Sequence, residues 1–131
     1  MKTTFLSQLL IISCIFFGCN SSDDYKSTQI GNQIWMANNL NVDNFQNGDI
    51  IFEAKTKDEW NQAIRKKQPA WCYFDNKKMN GEKYGKLYNW FAISNVKNLA
   101  PKGWRIPNVK DWDILFNQLG GKSVAGKKLK S

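Results

Sequence analysis

The side chains able to do chemistry in this sequence are three thiols and eleven carboxylates, with no imidazole beside them. Without histidine, Ser-His and Cys-His nucleophiles cannot be assembled, and most zinc and copper sites lose their usual ligand. Asp75, Glu82, Asp111 and Asp113 have no spacing that implies the paired carboxylates of sugar hydrolysis, and the last two suit helix caps and solvent. Asp75, Asn76, Asn80 and Glu82 carry oxygens of the kind that ligate calcium. Their spacing follows no recognised calcium loop, and such residues favour solvated turns in any case. No catalytic residue, cofactor-binding residue, cofactor or metal ligand is therefore assigned. A thiol is what remains. Cys19 stands directly after Gly18 and an apolar run from Phe5 to Phe17. Thiol chemistry near neutral pH makes Cys19 the candidate for covalent lipidation.

Met1-Lys2 followed by that run has the order of an export signal, and the run is shorter than the roughly 20 residues of a membrane span. Ile15-Phe16-Phe17-Gly18-Cys19 resembles a bacterial lipobox, with Phe16 where leucine is usual. The resemblance implies that residues 1–18 are a lipoprotein signal peptide, cleaved once Cys19 carries lipid. Residues 19–27 would then be a lipidated tether, and several acyl chains hold a membrane far better than one. The alternative is an ordinary secretory signal in which Cys19 is incidental. Asn20-Ser21-Ser22-Asp23-Asp24 is too polar to fold alone. It also resembles the surface-export signal of Bacteroidetes lipoproteins, which implies the outer leaflet of the outer membrane; a plain solvated linker has the same composition.

Loss of residues 1–18 removes one charge, Lys2, taking the net charge from +8 to +7 and leaving 113 residues, enough for one domain. The lysines are scattered, densest at Lys122, Lys127, Lys128 and Lys130, and there are two arginines in all. That pattern argues against a nucleic-acid partner and for solubility or weak adhesion to anionic surfaces. Cys14 leaves with the signal, so Cys72 stands alone. In an oxidising compartment it is either a buried inert thiol or an intermolecular bridge, and its neighbours Trp71, Tyr73 and Phe74 favour burial.

Gly31-Asn32 predicts a hairpin joining Thr28–Ile30 to Gln33–Met36, both turn residues supplying positive φ. Asn47-Gly48 turns the chain again before Asp49-Ile50-Ile51-Phe52. Thr56-Lys57-Asp58-Glu59 is a capping box opening a helix with Trp60, Ala63 and Ile64 on one face, and Pro69 forbids its continuation. Ala70–Phe74, apolar throughout, reads as a strand buried on both faces. Tyr84, Leu87, Tyr88 and Phe91 repeat at helical spacing and predict a short helix. Ala100–Pro107 reads as a turn feeding one brief strand. Asn108 and Asp111 cap a last helix striped by Trp112, Leu115, Phe116 and Leu119 and ended by Gly120. Trp90 falls off its stripe and is expected to face outward. The other five tryptophans (Trp35, Trp60, Trp71, Trp104 and Trp112) are expected to fill the core.

Four segments carry a family likeness: Ile30–Leu40, Trp71–Asn76, Tyr84–Ala92 and Ala100–Pro107, continued by Asp111-Trp112 and Leu119-Gly120-Gly121. In this order and spacing they resemble the Fibrobacter succinogenes major paralogous domain, placed here at residues 28–131. That family occurs mainly in lipoproteins and secreted proteins of Bacteroidetes and Fibrobacteres. The resemblance implies an α+β, C-type-lectin-like fold, here truncated. Relatives continue past Gly120-Gly121 with the C-terminal half of the sheet, whereas this sequence stops at Ser131. Ala100 stands where many relatives have cysteine, which rules out a disulfide from Cys72 to that position. Strands without partners expose unpaired backbone groups, so a marginal, molten or partner-dependent product is expected. The function implied is a non-catalytic, lipid-anchored cell-surface protein that binds, adheres to or displays a glycan or protein ligand. The alternatives are a truncated, non-functional paralogue or an enzyme akin to sulfatase-modifying proteins, whose paired cysteines this chain lacks.

Overall fold

The hairpin forms where Gly31-Asn32 predicts it, as β1 (Ser27–Ile30) and β2 (Gln33–Met36) in antiparallel register. Only Gly31, at φ +60°, takes the left-handed region, so the turn has the sign pattern of type II′ and Asn32 needs no positive φ. The computed structural model describes residues 25–129. The expected signal peptide and Cys19 lie outside them. Within them the architecture is mixed α/β, with this hairpin, one three-stranded sheet and several short helices.

The second sheet has the order β3-β4-β5, built from β3 (Phe52–Glu53), β4 (Ala70–Cys72) and β5 (Leu87–Tyr88). β3 runs parallel to β4, and β5 antiparallel to it. The crossover between β3 and β4 is α1 (Lys57–Arg65), opened by the predicted box: Glu59 N donates to Thr56 Oγ1 at 3.1 Å and Thr56 N donates to Glu59 Oε2 at 3.2 Å. The helix stops at Arg65, before Pro69 can clash with it. β4 is shorter than expected and covered on both faces only at Ala70 and Trp71, since Phe74 is exposed and begins a 3₁₀ turn, Phe74–Asn76.

The predicted helix through Tyr84, Leu87, Tyr88 and Phe91 does not form. Instead α2 (Asn80–Tyr84), β5 and α3 (Trp90–Ile93) follow one another. Gly85 breaks the helix at φ +65° and ψ −147°, and a Cβ there would sit 2.5 Å from the Leu40 carbonyl oxygen. Tyr88 and Leu87 then pair with Trp71 and Cys72, and Asn89 caps α3 by accepting from Ala92 N at 3.0 Å. The brief strand expected in Ala100–Pro107 is likewise absent; that segment is irregular, with Ile106 packed on the core. α4 (Val109–Gln118) has the predicted Asn108–Asp111 box, and α5 (Lys122–Lys128) is an additional helix within the lysine-rich tail.

One buried cluster, Phe45, Ile51, Trp71, Ala92 and Leu99, organises the interior, with Leu40, Val42, Tyr73, Tyr88, Ile93 and Ile106 packed on it. The hairpin seats on α4: Gln33 Nε2 donates to the Asp111 carbonyl at 3.1 Å, and the Trp35 and Trp112 rings lie 5.1 Å apart. The expectation that five tryptophans fill the core holds only for Trp71. Trp35, Trp60 and Trp104 are half-buried and Trp112 is exposed, because the short elements cover one side of each ring. Trp90 does face outward, at 70% exposure.

Candidate binding groove

An open concavity of about 590 Å³ lies where the Asn47-Gly48 turn, β3 and the start of α1 meet. The turn builds one wall. Gly48 takes φ +89°, Asn44 Nδ2 donates to its carbonyl at 2.9 Å, and Ile51 N donates to the Asp43 carbonyl at 2.8 Å. These bonds fix Asn44 opposite Ile50 and leave the Ile50 side chain 81% exposed. Phe52, 38% exposed, continues the apolar lining. The opposite wall is polar. Glu53 meets Lys55 at 4.0 Å, and Glu59 Oε2 accepts from Lys55 N at 2.6 Å as part of the helix cap.

The floor is Trp71, whose indole N–H donates to the Ile51 carbonyl at 3.1 Å. Lys86 closes the indole from behind, its ammonium 4.1 Å from the ring centroid and 3.5 Å from Asp43. The Lys86 side chain is only 5% exposed, so the π face and one carboxylate replace much of the water its charge gives up. Tyr88 completes the support: its hydroxyl donates to the Val42 carbonyl and accepts from Val42 N, both at 2.7 Å, and burial pushes the phenol well above its usual range. Beside the turn, Lys97 and Asn47 hydrogen-bond Asp49 and hold its carboxyl below the ordinary value. The groove thus joins apolar side chains to carboxylate and amide oxygens already tied to the scaffold. It can accept hydrogen bonds and cover an apolar face.

Two of the four candidate calcium residues have local partners. Asp75 pairs with Lys77 at 2.6 Å, and Asn80 Nδ2 donates to the Phe74 carbonyl at 2.7 Å. Asp111 sits under Arg105, which donates to both carboxyl oxygens, and Asp113 pairs with Lys122 at 3.0 Å. Cys72 is half-buried rather than buried, and the desolvation it does meet pushes its thiol up. Cys19 lies outside the described residues. Among them, no helix is long and apolar enough to cross a membrane. Sequence reasoning missed Asp43, Ile50, Phe52, Glu53 and Lys86. The signal for Ile50 was present in the Asn47-Gly48 turn, which brings residues 44 and 50 together.

Residues 28–131 match the profile of the Fibrobacter succinogenes major domain (Fib_succ_major). The chain belongs to that family. The family segment contains the whole groove and every described element except the first residue of β1. The residues quoted for the likeness are structural in this member: Trp35 and Trp112 join hairpin to helix, Gly85 ends α2, and Arg105 clamps Asp111. No curated protein and no solved structure matches the chain.

Proposed function

We propose that this Fibrobacter succinogenes major domain is the binding module of a non-catalytic lipoprotein, anchored through Cys19 at the bacterial outer membrane and facing outward, with a glycan as its ligand. The groove carries the reading. Exposed Ile50 and Phe52 suit the C–H face of a sugar ring, while Asp43, Asn44 and Glu53 offer acceptors for its hydroxyls. A C-type-lectin-like reading of the fold agrees with this, though fold analogy alone would not carry it. The groove's carboxylates are each engaged with a lysine or a helix cap, which favours recognition over acid–base chemistry. Polysaccharide pull-down with the full chain tests the ligand: retention should fall about tenfold in Phe52→Ala, a change of the size expected for losing a buried aromatic contact. No retention of any polysaccharide by the wild type would overturn it. Metabolic labelling with a palmitate analogue tests the anchor separately; label should appear on the wild type and vanish in Cys19→Ala.

A further inference from the structure

The segment Phe74–Tyr84 is a knob of exposed apolar side chains. Met79 is 88% exposed, Phe74 53% and Tyr84 41%. Asp75 and Asn76 take left-handed φ values of 56° and 51°, and the Asn80 amide ties the loop back to the Phe74 carbonyl. Phe74 and Tyr84 meet edge to face at 5.5 Å, with Lys83 Nζ 5.1 Å from the Tyr84 centroid. Gly81 is buried against the Tyr73 ring, which holds the knob on the domain. Lys77 is neutralised by Asp75, so Lys78 and Lys83 against Glu82 leave the tip slightly positive. Aromatic rings, an exposed methionine and lysines on one projection are the composition of a bilayer interface, where amphipathic rings sit at headgroup level and lysines meet anionic lipid.

The start of the described chain lies beside this knob. Tyr25 and Lys26 share one concavity with Gly81, Glu82 and Lys83, Ala37 N donates to the Lys26 carbonyl at 2.7 Å, and Asn39 Nδ2 reaches the Lys83 carbonyl at 3.5 Å. Cys19 is six residues before Tyr25. Even fully extended, six residues reach about 20 Å, less than the roughly 30 Å diameter of a domain this size. A lipid on Cys19 therefore keeps the surface opposite Tyr25 from meeting the bilayer and leaves the knob within reach of it.

We propose that the Phe74–Tyr84 knob docks into the headgroup region of the membrane that holds the anchor, fixing the orientation of the domain. The proposal rests on the lipidated-Cys19 reading. The test uses the full, lipidated chain in vesicles of phosphatidylethanolamine with phosphatidylglycerol as minor component, the non-lipidated Cys19→Ala chain in solution, and a lipidated Met79→Glu variant. Tryptic cleavage after Lys77, Lys78 and Lys83 is followed by mass spectrometry, with cleavage after Lys127 and Lys128 as the internal reference. Docking predicts knob cleavage about tenfold slower in vesicles than in solution, and a return to the solution rate in Met79→Glu, read after Lys83 because a glutamate beside Lys77 and Lys78 slows trypsin itself; the exposed side chain leaves the melting temperature unchanged. Equal rates in vesicles and solution, or protection that survives Met79→Glu, would overturn docking while leaving the anchor standing. A chain that neither floats with vesicles nor carries acyl mass on Cys19 would overturn the anchor, and docking with it.

Discussion

Asn89 ties three segments together through one buried amide. Its Oδ1 accepts from Ala70 N at 3.1 Å and Ala92 N at 3.0 Å, and its Nδ2 donates to the Gln68 carbonyl at 2.8 Å. Truncation strands the buried Ala70 N–H, whereas Ala92 N keeps its bond to the Asn89 backbone carbonyl at 3.1 Å; a buried group left unpaired costs more than a hydrogen bond contributes when made. Asn89→Ala should lower unfolding stability by about 2 kcal/mol, read from the urea midpoint at unchanged slope. Asp111 makes a different prediction, one of pH. Arg105, and next the Asn108 backbone N–H, hold its carboxyl at about 2, below the ordinary 3.8. Its contribution is therefore full above pH 4 and is lost as pH falls from about 4 towards 2. The difference in melting temperature between wild type and Asp111→Asn should be constant near neutrality and shrink over that window. A difference that persists undiminished at pH 2 would show that the ion pair is not its source.

At the scale of elements, two glycines separate backbone need from backbone cost. Gly85→Ala places a Cβ against the Leu40 carbonyl in a conformation L residues avoid. It should destabilise by at least about 2 kcal/mol, strain and contact acting together. Gly126 sits inside α5 with nothing within 4 Å of an added Cβ, so Gly126→Ala should stabilise by about 0.5–1 kcal/mol. Thermal melts of both variants check the opposite signs. The hairpin, both capping boxes and the end of α4 at Gly120 were legible in the sequence because each is written in adjacent residues. β5 was not. Tyr84, Leu87, Tyr88 and Phe91 mimic a helical period, and only the contact between Gly85 and Leu40, 45 positions away, shows why the helix must stop. The groove was illegible for the same reason, since Asp43, Phe52, Glu59 and Trp71 come together only through the sheet and the α1 crossover. The core hid as well: Phe45, Leu99, Leu40, Val42 and Ile106 lie outside helices and strands, where no periodicity marks them.

For the whole molecule, two- and three-residue strands give the central sheet few ladder bonds, and both β3 and β5 are edges among the described residues. Large apolar side chains such as Ile50, Val96 and Trp90 remain in solvent. Unpaired edges and uncovered rings stabilise little and invite association. The expected outcome is a broad thermal transition with dye binding to exposed apolar surface before it; a sharp, concentration-independent melt of the monomer would contradict this. The seating of the hairpin on α4 adds a consequence in time. Gln33 and Asp111 are 78 positions apart. During translation at some 5–20 residues per second, the ribosome releases the ribbon roughly 4–16 s before its helical seat. An isolated two-stranded ribbon is barely stable in water, so the nascent chain waits those seconds with Trp35 uncovered, a handle for whatever chaperone escorts it.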